Sequence, residues 1–198
     1  MDITAAMVRE LREKTNVGMM DCKKALEQNQ GDMEKAIDYL RQKGLAKAMK
    51  RAGREATEGM VHAYIHPGAR LGVLVEVNCE TDFAGKSEDF TEFVKNVAMQ
   101  IAAANPLGVQ KEDIPEDVVL REREIYMAQA RESGKPEQIL EKMVDGKMRK
   151  FYEETVLLEQ AFVKDPSKTI QDCLSELIAK IGEKIIIRRF VRYQLGAE

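Results

Sequence analysis

The residues Asn78-Cys79-Glu80-Thr81-Asp82-Phe83 place a carboxylate directly before an aromatic ring, at the exit of an apolar run from Leu71 to Val77. A strand exit is where a scaffold can hold a short loop at its rim, as binding loops often are. Asp82 and Phe83 there offer an anionic group beside an apolar wedge, which is chemistry of recognition. The same residues also fit a plainer role. Phe83 can plug the core while Asp82 caps the helix whose pattern starts near Ser87, since Asp is a preferred N-cap. Spacing alone leaves both open.

The other residue types that could do chemistry do not assemble. His62 and His66 have only Cys79 as a further soft ligand nearby, which makes no structural zinc pattern, and no metal site is expected. No GxxxxGK[ST] loop, GxGxxG turn, HExxH helix or GxSxG elbow is present, so neither nucleotide binding nor catalysis finds a foothold, and no cofactor is expected. Glu122, Glu124 and the other carboxylates alternate with Arg and Lys, the pattern of solvated helix faces. Arg41, Lys43, Lys47, Lys50, Arg51 and Arg54 form the one basic run. It reads as a solvated helical tether or, alternatively, as the contact of an RNA-associated helical adaptor. No aromatics are interleaved for base stacking.

Composition sets outer bounds. The chain has 198 residues, 44% hydrophobic and 33% charged, which describes a globular protein. No apolar run approaches the roughly 20 residues needed to cross a bilayer, and Met1-Asp2-Ile3-Thr4 does not resemble a signal peptide. Cys22, Cys79 and Cys173 are odd in number and in no CxxC pair, so they read as reduced thiols of a cytoplasmic protein. A net charge of -3 argues against an overall electrostatic grip on nucleic acid.

The elements that must position the Asp82-Phe83 loop follow from periodicity. Thr4 is a plausible N-cap, and Val8 and Leu11 continue a helical spacing broken at Asn16-Val17-Gly18. A second helix runs from about Met19 through Leu26. After the break at Gly31-Asp32, a third carries Met33, Ala36, Ile37 and Leu40, and Gly44 suits its end. Residues Glu58 to Cys79 read as a hairpin turning at Pro67-Gly68, with Leu71, Val73, Val75 and Val77 on one face. A strong amphipathic helix carries Phe90 to Ile101 and ends before Pro106. Others begin at Pro115 and Pro136, with a break at Ser133-Gly134. Asp165-Pro166-Ser167-Lys168-Thr169 marks a boundary before a helix that Gly182 stops. The closing strand, Lys184 to Leu195, has Ile185, Ile187, Val191 and Tyr193 on one face. The class is α+β, helices on a small antiparallel three-stranded sheet.

Three separated motifs carry a resemblance over nearly the whole chain. Asn78-Cys79-Glu80-Thr81-Asp82-Phe83 looks like the signature of the elongation factor Ts family, here a short form with a single core domain. The stretch Leu11 to Leu26, with Thr15-Asn16-Val17-Gly18-Met19-Met20-Asp21-Cys22, is similar to that family's N-terminal motif. Ser133-Gly134-Lys135-Pro136, followed by Glu141 to Met148, falls in the expected order. The resemblance implies a three-helix ubiquitin-associated-like module over residues 1–45, a basic helical linker over 46–57 and an α+β core over 58–198. It implies guanine-nucleotide exchange on elongation factor Tu by binding, not enzymatic chemistry.

The implied contacts are Thr81, Asp82, Phe83 and Ala84 beside the partner's magnesium site. Leu11, Met19 and Met20 are those of the N-terminal module, with bundle core, or one methionine buried and one exposed, as the other possibilities. Asn78 and Glu80 are expected to support the loop. Where the family usually has Val after the Phe, this chain has Ala84 and then Gly85, so less apolar contact and a looser loop are expected. Only one strand-rich core is legible. Its sheet is expected to leave Leu74, Ile186 and Phe190 uncovered among Glu76 and Arg188, and to pair with a second copy as a homodimer.

Overall fold

The computed structural model describes residues 3–15, 17–51, 55–132 and 136–197, with backbone alone for 44–51 and 138. Asn16 and Ser133-Gly134-Lys135 of the motifs lie outside them. The architecture is the expected α+β.

The chain starts with α1 (Ala5–Thr15), α2 (Met19–Gln28) and α3 (Met33–Arg51). The Thr4 hydroxyl accepts the Met7 amide at 3.3 Å, so the expected cap is made. Asp32 accepts the Lys35 amide at 3.0 Å after Gly31, whose φ of 83° suits the turn. Val8, Leu11, Cys22, Ala25, Leu26, Ala36 and Leu40 form the small core of these helices. The expected stop at Gly44 is not made, and α3 continues to Arg51. A helical Gly costs roughly 1 kcal/mol. The strong helix formers that follow, Leu45-Ala46-Lys47-Ala48-Met49-Lys50, outweigh it.

The hairpin is β1 (Glu58–Ile65) and β2 (Leu71–Cys79), and β2 lies between β1 and the last strand, β5 (Ile185–Gln194), in an antiparallel sheet. Its turn closes with the Ala69 amide on the His66 carbonyl at 2.9 Å, and Gly68 takes a φ of 90°. Val73, Val75, Val77 and Cys79 are buried along β2, the alternation the sequence predicts. In β5 the expected face does not hold. Ile185 and Ile187 are buried, but Val191 and Tyr193 are exposed, while Phe190 and Arg192 are half-buried. The alternation changes phase at Arg188-Arg189, where two successive charged side chains both reach water.

Between β2 and β5 come α4 (Asp82–Gly85), α5 (Glu88–Ala104), α6 (Glu116–Arg131), α7 (Glu137–Thr155) and α8 (Ile170–Ile181). Pro115 and Pro136 each stand immediately before a helix, where a missing N–H costs nothing. One feature is unforeseen: β3 (Ala161–Phe162) pairs antiparallel with β4 (Asp165–Thr169), where the sequence suggests only a boundary. Gln100, fully buried, donates to the Gln160 side chain and the Ala161 carbonyl, both at 3.1 Å, and accepts the Val163 amide at 2.9 Å. That side chain supplies what two short strands lack.

Contacts divide the chain into two compact units. One comprises Met1–Val61, Glu76–Val94 and Asp172–Ile187. The other comprises His62–Val75, Lys95–Gln171 and Arg188–Glu198.

Candidate functional site

The loop after β2 is neither a plug nor loose. Phe83 keeps 83% of its surface exposed, so it does not fill the core. Asp82 is not the cap of the helix that starts after Ser87, where the Ser87 hydroxyl accepts the Phe90 amide at 3.3 Å; Thr81 caps α4, its hydroxyl accepting the Ala84 amide at 3.3 Å. Asp82 is the first residue of that short helix and pairs with Lys86 one turn on, at 2.7 Å. The Lys86 ammonium holds the Asp82 carboxyl below the usual carboxylate range, and Asp82 in turn raises Lys86.

Each support of the loop has a partner. Thr81 donates both its amide and its hydroxyl to the Glu183 carboxylate, at 3.0 and 2.7 Å. Glu80 accepts the Lys184 amide at 2.6 Å. The Asn78 amide group donates to the Glu58 carbonyl at 3.3 Å, and the Cys79 thiol to the Thr81 carbonyl at 3.1 Å. Burial pushes the Cys79 thiol up.

At Ala84-Gly85, where a looser loop is expected, both residues are packed into the fold. Ala84 is 5% exposed and Gly85 is buried. A Cβ at Gly85 would stand 3.3 Å from the Gly59 Cα and 3.4 Å from the Cys79 sulfur, so the missing side chain lets α4 lie close on β1. Gly59 is equally constrained: its φ is +134°, and a Cβ there would reach within 2.1 Å of the Val77 carbonyl oxygen.

In the N-terminal module, Met19 and Met20 are both exposed, at 57% and 67%, rather than one being buried. They line an open groove with Ile3, Val8 and the cations Arg9, Arg12 and Lys23. Leu11, expected beside them as a contact, is fully buried and holds the helices together beneath. Of the basic run, Lys43 pairs with Asp21 at 2.9 Å and is raised by it, and Arg41 pairs with Asp172. The side chains of Lys47, Lys50, Arg51 and Arg54 lie outside the described residues. Among the described residues no three His, Cys, Asp or Glu come together as metal ligands. Among the described residues, likewise, no helix is long and apolar enough to cross a membrane.

Sequence reasoning missed Lys86 and Glu183. Lys86 was within reach, since it lies at i+4 from Asp82 on a helical segment. Glu183 is distant in sequence from Thr81, and nothing local marks it.

Apolar side chains held out in water, on the loop and along the groove, are features of the class of surfaces that mark protein–protein contacts. Comparison with known proteins narrows that class. The family model for elongation factor TS matches residues 19–197. Over 198 residues the chain is 76% identical to elongation factor Ts of Syntrophobacter fumaroxidans, covering all of itself and 99% of that protein. It is 61% identical to that of Moorella thermoacetica, covering 98% of itself and 96% of the other. For that of Desulfosudis oleivorans the identity is 60%, with 98% of each covered. The chain belongs to the elongation factor Ts family, whose role in translation elongation is nucleotide exchange on elongation factor Tu.

Proposed function

We propose that this chain releases GDP from elongation factor Tu by setting the Asp82-Phe83 step of its α4 loop beside the magnesium site of the GTPase. The exposure of Phe83 on a braced support carries the reading. Burying a phenylalanine is worth roughly 1.5–3 kcal/mol, which the free chain leaves unrealised and a complex gains. Phe83 is the wedge between helices of the partner, and Thr81 and Ala84 fix its approach. Asp82, held anionic, disturbs the groups that organise the magnesium, the largest local charge of such a site. An exchange factor shifts the equilibrium only by binding the nucleotide-free partner better than the GDP form. By linkage, factor and nucleotide then weaken each other equally. The chain makes and breaks no covalent bond and binds no nucleotide itself.

Met19 and Met20 supply a second contact, flexible apolar side chains suited to a partner helix. The division into a module over 1–45, a linker over 46–57 and a core over 58–198 belongs to this reading, as do action in the cytoplasm and assembly as a homodimer.

The test is GDP release from elongation factor Tu, with the chain at catalytic amounts. Phe83→Ala and Asp82→Ala are each expected to slow release about tenfold, the rate equivalent of roughly 1.4 kcal/mol. Their circular dichroism should match the parent. Two variants with native spectra and unchanged release kinetics would remove the loop from the mechanism.

A further inference from the structure

Thr81 is the pivot of the loop, and its hydroxyl has one proton to give. That proton goes to Glu183 Oε1 at 2.7 Å, which turns the oxygen's lone pairs toward the Ala84 amide at 3.3 Å. The other Glu183 oxygen takes the Thr81 amide at 3.0 Å. The clamp is two-way, because Glu80 accepts the Lys184 amide at 2.6 Å. Glu183 itself is placed by the end of α8. There Gly182 turns the chain with a φ of 87°, and its amide closes on the Ile178 carbonyl at 2.9 Å.

We infer that Glu183 is a positioning residue of the exchange loop: it orients the Thr81 cap and so holds α4, with Asp82 and Phe83, in the conformation that docks. The inference rests on the proposed role of that loop. Glu183 does not touch the partner in this account; it sets the fraction of free molecules whose loop is already competent. A protein competent only a fraction of the time binds more weakly by that fraction. Once bound, Phe83 and Asp82 are still present, so the maximal release rate persists.

This separates Glu183 from the residues it positions. Glu183→Ala is expected to raise the concentration of elongation factor Tu·GDP at half-maximal release about tenfold, leaving the saturating rate near the parent's. Phe83→Ala is expected to lower the saturating rate. Glu183→Gln, which keeps one acceptor for the two Thr81 donors, is expected to fall between. Hydrogen exchange on the free chain gives a readout independent of the partner. The Thr81 and Ala84 amides are expected to lose protection in Glu183→Ala while those of α8 keep theirs. Should Glu183→Ala fail to fold, Thr81→Val removes the same hydroxyl bond and carries the same expectations for half-saturation and for Ala84. Slowed release in Phe83→Ala beside unchanged half-saturation and unchanged amide protection in Glu183→Ala overturns the positioning role alone. Unaltered release in both Phe83→Ala and Asp82→Ala overturns the exchange-loop reading and this inference with it.

Discussion

Phe83 is 83% exposed, whereas Phe90, on the next helix, is fully buried. Two aromatics of one short stretch thus have opposite fates, and folding has no use for the first. Its neighbour Asp82 adds charge rather than stability, since an exposed pair with Lys86 is screened by solvent. The sign of its pH dependence follows from the lowered carboxyl. A group depressed in the folded state contributes above its unfolded value, about 3.9 for Asp, and that contribution is lost as pH falls through the lowered value. Lys86, raised by Asp82, keeps its proton until pH rises past the ordinary lysine range. The pair therefore stays charged through neutrality. GDP release is expected to show no inflection from Asp82 between about pH 6 and 9. A titration in that window that disappears in Asp82→Asn would contradict it. The residues of the loop were legible in the sequence as a charge beside a ring, but their brace was not. Glu183 meets Thr81 only through the fold, and no spacing rule reaches that far.

At the scale of elements, helices with long apolar stripes were the most legible. The α5 and α8 patterns stand where their periodicity puts them. Breakers were less reliable. Gly44 did not end α3, because propensity summed over its neighbours outweighs one residue. Asp165-Pro166 did not exclude a strand, because both strands of a two-stranded sheet are edges, which tolerate proline. The N-terminal helices show the same division between support and surface. Leu11 is buried where Met19 and Met20 are bare, so the three are expected to respond differently to truncation. Leu11→Ala empties a small core and should cost roughly 2–5 kcal/mol, seen as early loss of helical signal on heating. The pair Met19→Ala and Met20→Ala should leave the melting curve in place and weaken the complex several-fold, as each loses part of the burial energy of a methionine. A titration of exchange rate against factor, run beside thermal melts, decides. A large drop in melting temperature with unaltered affinity would return both methionines to the core.

The whole molecule raises the question of the sheet's outer surface. Leu74, expected to be uncovered, is 46% exposed, and it is joined by Ile65 at 63%, Tyr193 at 71% and Leu195 at 66%. Ile186 and Phe190, expected beside it, are half-buried instead, Phe190 because β5 changes phase at Arg188-Arg189. The patch is ordered rather than frayed: the Leu195 amide bonds the Arg70 carbonyl at 2.8 Å, tying the end of β5 to the start of β2. Ile65, Gly72, Leu74, Tyr193 and Leu195 line one concavity there. Aromatic and aliphatic side chains around a concave patch are the makings of an interface core. A two-fold dimer is the commonest way to cover such a patch, since it brings one surface against itself. We therefore expect a homodimer joined at this end of the sheet, each protomer covering the other's Leu74 and Tyr193. Sedimentation equilibrium at micromolar concentration is expected to give about twice the 22.4 kDa of one chain. Leu74→Arg, which sets like charges against each other across a two-fold axis, is expected to give the single chain with its circular dichroism intact. A parent protein that sediments only at 22.4 kDa ends the idea of self-association, and the patch is then a surface for another protein.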